Sequence, residues 1–376
     1  MSNNNIKQNG AESCNIRKTS IGGQALIEGI MMKGPQKTAM AVRDPEGQIV
    51  IEEWENKTEK NSFLKKFSRL PIIRGVFGLI GSYALGIKCL LRSAEIAGLE
   101  DEEPADKKKK KADKTPSEEN NAGTGVLDCP EKTDAEKLIT PEEKTDEKKK
   151  SNDTALIAAA SIIGMVLGVV LCIGLFVFLP AYLFDLVFNG LLGYTDDGTM
   201  SYIIAKRSFE GVIKIVLFVL YMYFVSFMKD IKRTFMYHGA EHMTIFCYEK
   251  GLELTVENVR KQSRFHPRCG TSFLIIMLII GIFVGIFIPE FHVSEFKIIN
   301  NLLLAAVKIL LLPITVGLGY EVIKFAGRHD NAFVRIISAP GKWMQRISTK
   351  EPEDGMIECA IAALKKVIPD DGSDKW

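Results

Sequence analysis

Long apolar runs without charge alternate with charged stretches in the second half of the chain. A helix needs about 20 residues to cross a hydrocarbon layer about 30 Å thick, and four of the runs approach or exceed that length. They lie at 155–184, 211–228, 269–289 and 298–320. The pattern predicts an α-helical polytopic membrane protein with about four transmembrane helices, in a membrane domain at 155–320. We expect Pro180 to end the straight part of the first helix, because proline removes a helical hydrogen bond.

The N-terminal part of the chain shows a different, β-rich pattern at 19–56. Two runs of strand-forming residues, 38–43 and 48–54, flank the sequence Asp-Pro-Glu-Gly at 44–47. Proline at the second position of such a tetrapeptide is typical of a turn, so a hairpin is predicted. We expect a small cytoplasmic β element here, preceded by a disordered polar N-terminus at 1–18.

The segment at 57–99 has a helical pattern but only a short uncharged run. That run covers 75–87, between Arg74 and Lys88, and its 13 residues are too few to span the hydrocarbon layer. An interfacial or re-entrant helical segment is therefore the prediction, with a true membrane span as the alternative.

Composition hides a strong asymmetry of charge. The whole chain is 47% apolar and 25% charged with a net charge of +2, values typical of a soluble protein. Residues 100–154, however, hold 12 Lys and 17 Asp or Glu and almost no large apolar side chains. Such a segment cannot bury enough surface to offset its ordering entropy, so a disordered charged linker is predicted there.

Basic residues predict the orientation in the bilayer. The loop at 229–268 holds eight Lys or Arg, whereas the loops at 188–210 and 290–301 hold two and one. By the positive-inside rule, the basic loop and both termini face the cytoplasm. The chain then ends in a cytoplasmic amphipathic tail at 321–376, whose last helix, around 360–367, is expected to lie at the membrane surface.

The most informative stretch for chemistry is an H-x-x-E-H pattern within the basic loop. His238 and His242 are one helical turn apart, so both imidazoles can reach one metal ion. Glu241 lies on the same side, where a carboxylate can act as a catalytic general base. The same order of residues occurs in inverzincin peptidases, which makes zinc the expected divalent metal. A structural polar network and a lipid or phosphate site are the alternatives.

Such a metal site needs a third ligand, and four residues could supply it: Glu249, His266, Cys269 and Glu321. Glu249 follows His242 by seven residues and falls on nearly the same helical face. Glu321 lies at the end of the fourth predicted span. The sequence does not choose among them.

Further candidate residues lie outside this pattern. Arg268 and Cys269 lead into the third span, where a helix N-terminus and nearby cations could hold an anion or lower the pKa of the thiol. The alternative is that the basic residues only anchor the helix at the cytoplasmic membrane surface and that Cys269 is a small buried thiol. Lys308 falls within the fourth span, where an ionisable residue suggests function. Glu28, with Gln24, lies in a turn-rich segment that we expect to pack near the loop at 229–268.

Three separated motifs resemble a known family. They are GGQALIEGIMMKGP at 22–35, YHGAEHMTIFCYE at 237–249 with RFHPRCGTSF at 264–273, and PGKWMQRISTKEPEDGMIECAIAAL at 340–364. Together they resemble the YqhQ-like family of bacterial membrane proteins (domain of unknown function 1385). The resemblance implies a multi-pass protein of the bacterial cell membrane, predicted to be metal-dependent through His238, Glu241 and His242. Met243 stands where many relatives are expected to have Lys.

Three functions are compatible with these features. The first is a metal-dependent, hydrolase-like enzyme with Glu241 as the base. The second is a non-enzymatic scaffold or assembly factor that binds another membrane protein. The third is a transporter centred on Lys308. The chain has no P-loop, no GxGxxG after a strand, no GxSxG elbow and no Cys-rich cluster, so nucleotide, dinucleotide and iron–sulfur chemistry lack support, and no nucleic-acid partner is expected.

Overall fold

The computed structural model describes residues 18–56, 70–98, 163–194, 198–289, 293, 295–329 and 331–375. The predicted disordered segments at 1–18, apart from Lys18, and at 100–154 lie outside the described residues. The chain divides into two compact units, one of Met1–Asp101 with Leu183–Trp376 and one of Glu102–Tyr182. Described residues of the second unit are helical from Ile163 onward, and the site lies entirely in the first.

The N-terminal segment folds as a four-stranded antiparallel sheet. Strands β1 (Gly22–Leu26), β2 (Gly29–Lys33), β3 (Lys37–Arg43) and β4 (Ile49–Glu55) pair in sequence order. The β3–β4 turn contains Gly47 at φ 84°, a conformation that glycine adopts without steric cost. The predicted β element and its hairpin are therefore confirmed.

Helices cover both faces of this sheet, because side chains of successive strand residues point to opposite sides. One face, which includes Ile30 and Met32, packs against helices α4 (Lys229–Glu249), α5 (Val256–Arg260) and α10 (Asp354–Val367). The other face, which includes Met31 and Met40, packs against helix α1 (Ile73–Ile96). The sheet is thus the centre of a helix-covered core.

The position of α10 corrects one prediction. The amphipathic tail was expected at the membrane surface, but the apolar side of α10, including Met356, Ile357 and Leu364, is buried against β2, β3 and α4. A helix with one apolar stripe can cover a sheet as well as a bilayer, and its sequence does not distinguish the two.

Three described helices are long and apolar enough to cross a membrane: α1, α2 (Ile163–Leu191) and α3 (Met200–Val225). Helices α7 (Lys297–Leu310) and α8 (Leu312–Arg328) are bent by 47° and together would make a fourth. The apolar helix α6 (Gly270–Ile286) is shorter, with 17 residues. This architecture is compatible with the predicted multi-pass membrane protein.

Two predictions about these helices require correction. Helix α1 has 24 residues and continues past Lys88 and Arg92, so the argument that this segment is too short to span does not hold. Helix α2 continues through Pro180, because a π-helical stretch, Gly174–Phe178, directly precedes it. Such a stretch changes the local hydrogen-bond pattern and accommodates the missing proline N–H.

Candidate metal centre

Helix α4 carries the H-x-x-E-H residues, and the predicted helical spacing is observed. The rings of His238 and His242 stack edge to face with centroids 4.4 Å apart. Between them, Gly239 faces the backbone of the segment before α10, where an added Cβ would overlap the carbonyl oxygen of Lys350. The glycine therefore lets this segment approach the helix.

Cys269 completes a cluster with the two histidines. It is the N-cap residue of α6, and its Sγ lies 3.1 Å from His238 Nε2. One ligand atom from each of His238, His242 and Cys269 lies within 4.8 Å of the other two. Of the four candidates for a third ligand, Cys269 is the residue that the structure brings to the histidines.

Backbone carbonyls fix both imidazole rings. His238 Nδ1 lies 2.8 Å from the carbonyl oxygen of Ser348, and His242 Nδ1 lies 2.5 Å from that of Arg264. Because a carbonyl can only accept, each Nδ1 carries a proton, so a lone pair for a metal can come only from Nε2. Metal-binding histidines are commonly oriented by this contact, which leaves the other nitrogen for the ion.

Glu241 connects this cluster to the sheet. Its carboxylate is buried, and its Oε1 accepts a hydrogen bond of 3.0 Å from the backbone N–H of Gly23 in β1. Burial raises the pKa of Glu241 above its usual value, although His238 and His242 oppose that shift. The expected proximity of the β element to the loop at 229–268 is therefore present, through Gly23 and α4.

The cluster stabilises a thiolate. Burial opposes ionisation of Cys269, yet the adjacent His238 and His242 hold its pKa well below the usual range. Burial likewise opposes protonation of His238, but the charge of Cys269 and its hydrogen bond raise the pKa of this histidine to about 9. The proton of Cys269 is therefore held by Nε2 of His238, and a metal ion that binds the thiolate and Nε2 would displace it.

His266 and Glu249 form a second layer beside the cluster. Glu249 pairs with Arg268, and its Oε2 lies 3.6 Å from His266 Nε2. Burial lowers the pKa of His266 despite this carboxylate. Burial opposes ionisation of Glu249, but His266 and Arg268 lower its pKa. Gln345 of helix α9 (Ala332–Ser348) exchanges hydrogen bonds with the backbone of His266. Arg268 therefore forms an ion pair with Glu249 inside the protein.

The remaining candidates lie elsewhere. Glu321 accepts two hydrogen bonds from the Arg74 guanidinium and so joins α8 to α1. Lys308 lies in the last turn of α7, before the bend to α8. Glu28 binds Arg233 of α4. The structure thus does not bring Glu321, Lys308 or Glu28 to the histidines, and Glu249 lies in the second layer.

Three groups that shape the site could not be predicted from the sequence: the carbonyls of Ser348 and Arg264 and the N–H of Gly23. Backbone groups leave no signal in residue types. Buried Arg207 and Glu210 were not predicted either, because the predicted span begins at 211, whereas α3 begins at Met200.

The donor set fits a zinc-type ion. Two imidazoles and one thiolate are ligands that zinc prefers, and three protein ligands are typical of catalytic zinc sites. Among the described residues, His238, His242 and Cys269 are the metal-binding side chains that converge on one point. Glu241, on the intervening turn, is not part of that group and is a candidate for a base.

Comparisons with known proteins give a family and no activity. The profile of the family "Protein of unknown function (DUF1385)" matches residues 70–370. The chain is 30% identical over 348 residues to the "Uncharacterized protein YqhQ" of Bacillus subtilis (strain 168). The aligned region covers 92% of each of the two chains. No solved structure matches.

Proposed function

The chain belongs to the DUF1385 family of proteins of unknown function, and we propose that this member is a multi-pass membrane protein with a metal-dependent hydrolase site. His238, His242 and Cys269 would hold one zinc ion. The observation that supports this most strongly is the convergence of the three ligand atoms within 4.8 Å, with both Nδ1 groups bonded to carbonyls.

A zinc ion held by three protein ligands supplies Lewis acidity at its open position. The protein supplies the proton transfer. Gly23 N–H holds Oε1 of Glu241, which leaves Oε2 to accept a proton from the attacking water and to return it to the leaving group. Burial raises the pKa of Glu241, so this carboxylate is a stronger base than an exposed one.

Metal content tests the site directly. The full chain is purified in mild detergent as wild type, His238→Ala and Cys269→Ser, and zinc is measured by mass spectrometry. Exposed His329 and Cys172 lie outside the cluster, so His329→Ala and Cys172→Ser are matched controls. We expect about one zinc per chain in the wild type and both controls, and loss from both site variants. Wild type that holds no zinc even after reloading would refute the proposal.

The role of Glu241 needs a separate measurement. Glu241→Gln should keep its zinc but lose about 10²-fold or more of the hydrolysis rate, because the general base is removed. The probes are p-nitrophenyl acetate and bis(p-nitrophenyl) phosphate, and the control is the exposed Glu257→Gln. If Glu241→Gln loses its metal instead, Glu241 is a ligand and the proposed base role is wrong.

The short distance between Cys269 Sγ and His238 Nε2, 3.1 Å, favours a second candidate, a cysteine hydrolase without metal. Sγ would attack a carbonyl carbon to give a thioester, the leaving group would take the proton from Nε2, and water would then hydrolyse the thioester. Iodoacetamide distinguishes the two. A metal site protects Cys269 until the zinc is chelated, whereas a nucleophile reacts with or without chelator.

A further inference from the structure

Helix α9 has three distinct faces along its 17 residues. One face is buried, one is exposed and apolar, and one is cationic. The faces follow from helical periodicity, since residues three, four and seven apart share a side of the helix. A surface helix of a soluble domain usually has only two faces, one buried and one polar.

The buried face holds α9 against the first turn of α6, next to the metal centre. Gly341 packs so closely on Ser272 that an added Cβ would lie 2.6 Å from the Ser272 Cβ. Gln345 donates a hydrogen bond of 2.8 Å to the Ser272 hydroxyl, and Ser348 supplies the carbonyl that orients His238. The orientation of α9 about its own axis is therefore fixed.

The exposed apolar face is a stripe of large side chains, spaced three, four and three residues apart. It consists of Phe333, Ile336, Pro340 and Trp343. Phe333, Ile336 and Trp343 are exposed by 61%, 71% and 57%. Pro340 lies inside the helix and has no N–H to donate to the carbonyl of Ile336.

The cationic face runs alongside this stripe and consists of Arg335, Lys342 and Arg346, spaced seven and four residues apart. The helix contains no Asp or Glu, so its charge is +3. Helix α8 ends at Arg328 shortly before α9 begins. The first turn of α6 therefore contacts α9 directly, and the end of α8 precedes α9 in the sequence.

We propose that α9 is a docking surface for anionic phospholipid, with the apolar stripe inserted at the level of the acyl boundary and the cationic face on the headgroups. An exposed apolar stripe with flanking cations and an interfacial tryptophan is the pattern of a helix that lies in the membrane interface. Its position beside the polar ends of apolar helices places it at that depth. Each cation near an anionic leaflet adds about a fivefold preference for anionic lipid.

A protein partner is the less favoured occupant. A protein groove for this face would need acidic side chains opposite all three cations and an apolar pocket for Trp343. A bilayer around the neighbouring apolar helices would supply both: anionic headgroups opposite the cations and acyl chains around Trp343. This proposal does not depend on the metal.

Fluorescence of Trp343 in nanodiscs tests the proposal on the full chain. Quenching by tail-brominated phosphatidylglycerol or phosphatidylcholine is recorded for the wild type and for Trp343→Phe, and the difference isolates Trp343 from the other two tryptophans. We expect Trp343 to be quenched by both lipids, with a preference for phosphatidylglycerol of about fivefold or more that falls at high salt.

The charge requirement is tested with Arg335→Gln/Lys342→Gln/Arg346→Gln. The matched control removes three exposed cations of the sheet and α10, Lys33→Gln/Lys37→Gln/Lys365→Gln. The preference for phosphatidylglycerol should fall to parity in the first protein and persist in the control. A Trp343 signal untouched by brominated lipid, or a preference insensitive to both salt and charge removal, overturns the proposal. Zinc content of the same samples reports separately on the proposed hydrolase.

Discussion

Glu28 shows how a single residue joins the sheet to the helix that carries the candidate ligands. It lies in the tight turn between β1 and β2 at φ 48°, an uncommon conformation for a residue other than glycine. Its carboxylate accepts two hydrogen bonds from the Arg233 guanidinium and one of 3.3 Å from the Tyr237 hydroxyl. The hydrogen bonds from Arg233 lower the pKa of Glu28 below its usual value of 4.5.

This lowered pKa predicts an acid-sensitive contribution to stability. The folded state binds the Glu28 proton less readily than the unfolded state does, so the contribution is present above pH 4.5 and is lost as the pH falls through the folded pKa. Because the pair is partly exposed, we expect Glu28→Gln to lower the free energy of unfolding by only about 1 kcal/mol at neutral pH. The difference from wild type should vanish in acid, as measured by denaturant unfolding. An exposed turn variant, Glu46→Gln, is the control, and a deficit that persists in acid contradicts this origin.

Gly23 and Gly22 form a second test at the residue scale. A Cβ at Gly23 would lie 2.7 Å from the Met31 carbonyl oxygen and 3.0 Å from Glu241 Cδ, whereas one at Gly22 would have no heavy atom within 4 Å. We expect Gly23→Ala to cost about 1–3 kcal/mol and to displace Glu241, and Gly22→Ala to be nearly neutral. Thermal unfolding and the rate of the proposed hydrolysis, with p-nitrophenyl acetate as the probe, measure the two effects. Equal behaviour of the two variants would show that β1 does not fix Glu241.

At the scale of elements, α10 binds the end of the chain to its beginning. It packs on β2, β3 and α4, and its Gly355 carbonyl accepts a hydrogen bond of 2.9 Å from Arg43 at the end of β3. The sheet, α4 and α10 share one hydrophobic core. Since α4 carries two of the candidate ligands, the geometry of the candidate metal centre depends on elements separated by more than 300 residues.

The core position of α10 predicts a large effect from one buried side chain. Leu364 is fully buried, and the adjacent Lys365 is exposed. Leu364→Ala should destabilise the protein by about 2–5 kcal/mol, because it removes buried methyl groups and leaves a cavity. Lys365→Ala should cost less than about 0.5 kcal/mol. Thermal unfolding of both variants in the same detergent is the measurement. If Leu364→Ala is as stable as Lys365→Ala, α10 is not part of the core.

The molecule as a whole combines a helix-covered sheet with apolar helices, and helix α3 carries a cluster of three charged side chains. Glu210 of α3 lies 3.5 Å from Arg207 and 3.7 Å from Lys214, one turn away on each side. The side chains of Arg207 and Glu210 are nearly fully buried, and Gly211 packs against Ile282 of α6. A helix with this group must have neighbours, because lipid alone cannot compensate for such charges.

This arrangement predicts that Glu210 stabilises the assembled helices. Glu210→Gln leaves the buried cations without their carboxylate and should cost about 3–5 kcal/mol. The double variant Arg207→Met/Glu210→Leu should be closer to wild type, because replacing a buried ion pair by apolar side chains is often nearly neutral. Fluorescence-detected size-exclusion chromatography after heating compares the three proteins. A double variant less stable than Glu210→Gln would indicate that the cation has other essential contacts.

Features that depend on neighbouring residues could be predicted. The hairpin at 38–54 follows from its turn sequence, and the helical alignment of His238 with His242 follows from their spacing of four. Element ends were less predictable. The sequence analysis ended apolar runs at Lys88 and at Glu210, but the helices continue through both residues, and Glu210 forms a buried ion pair with Arg207.

The apolar helices, the small antiparallel sheet and the pair of histidines on one helical face could all be predicted from the sequence. Each of these depends on local periodicity and on the transfer of apolar surface out of water. The three-dimensional fold, in contrast, brings Cys269 to the histidines, pairs Glu249 and Glu321 with arginines, and places α10 over the sheet. These contacts join residues far apart in the chain, and many alternative pairings of similar side chains are compatible with the same local sequence patterns.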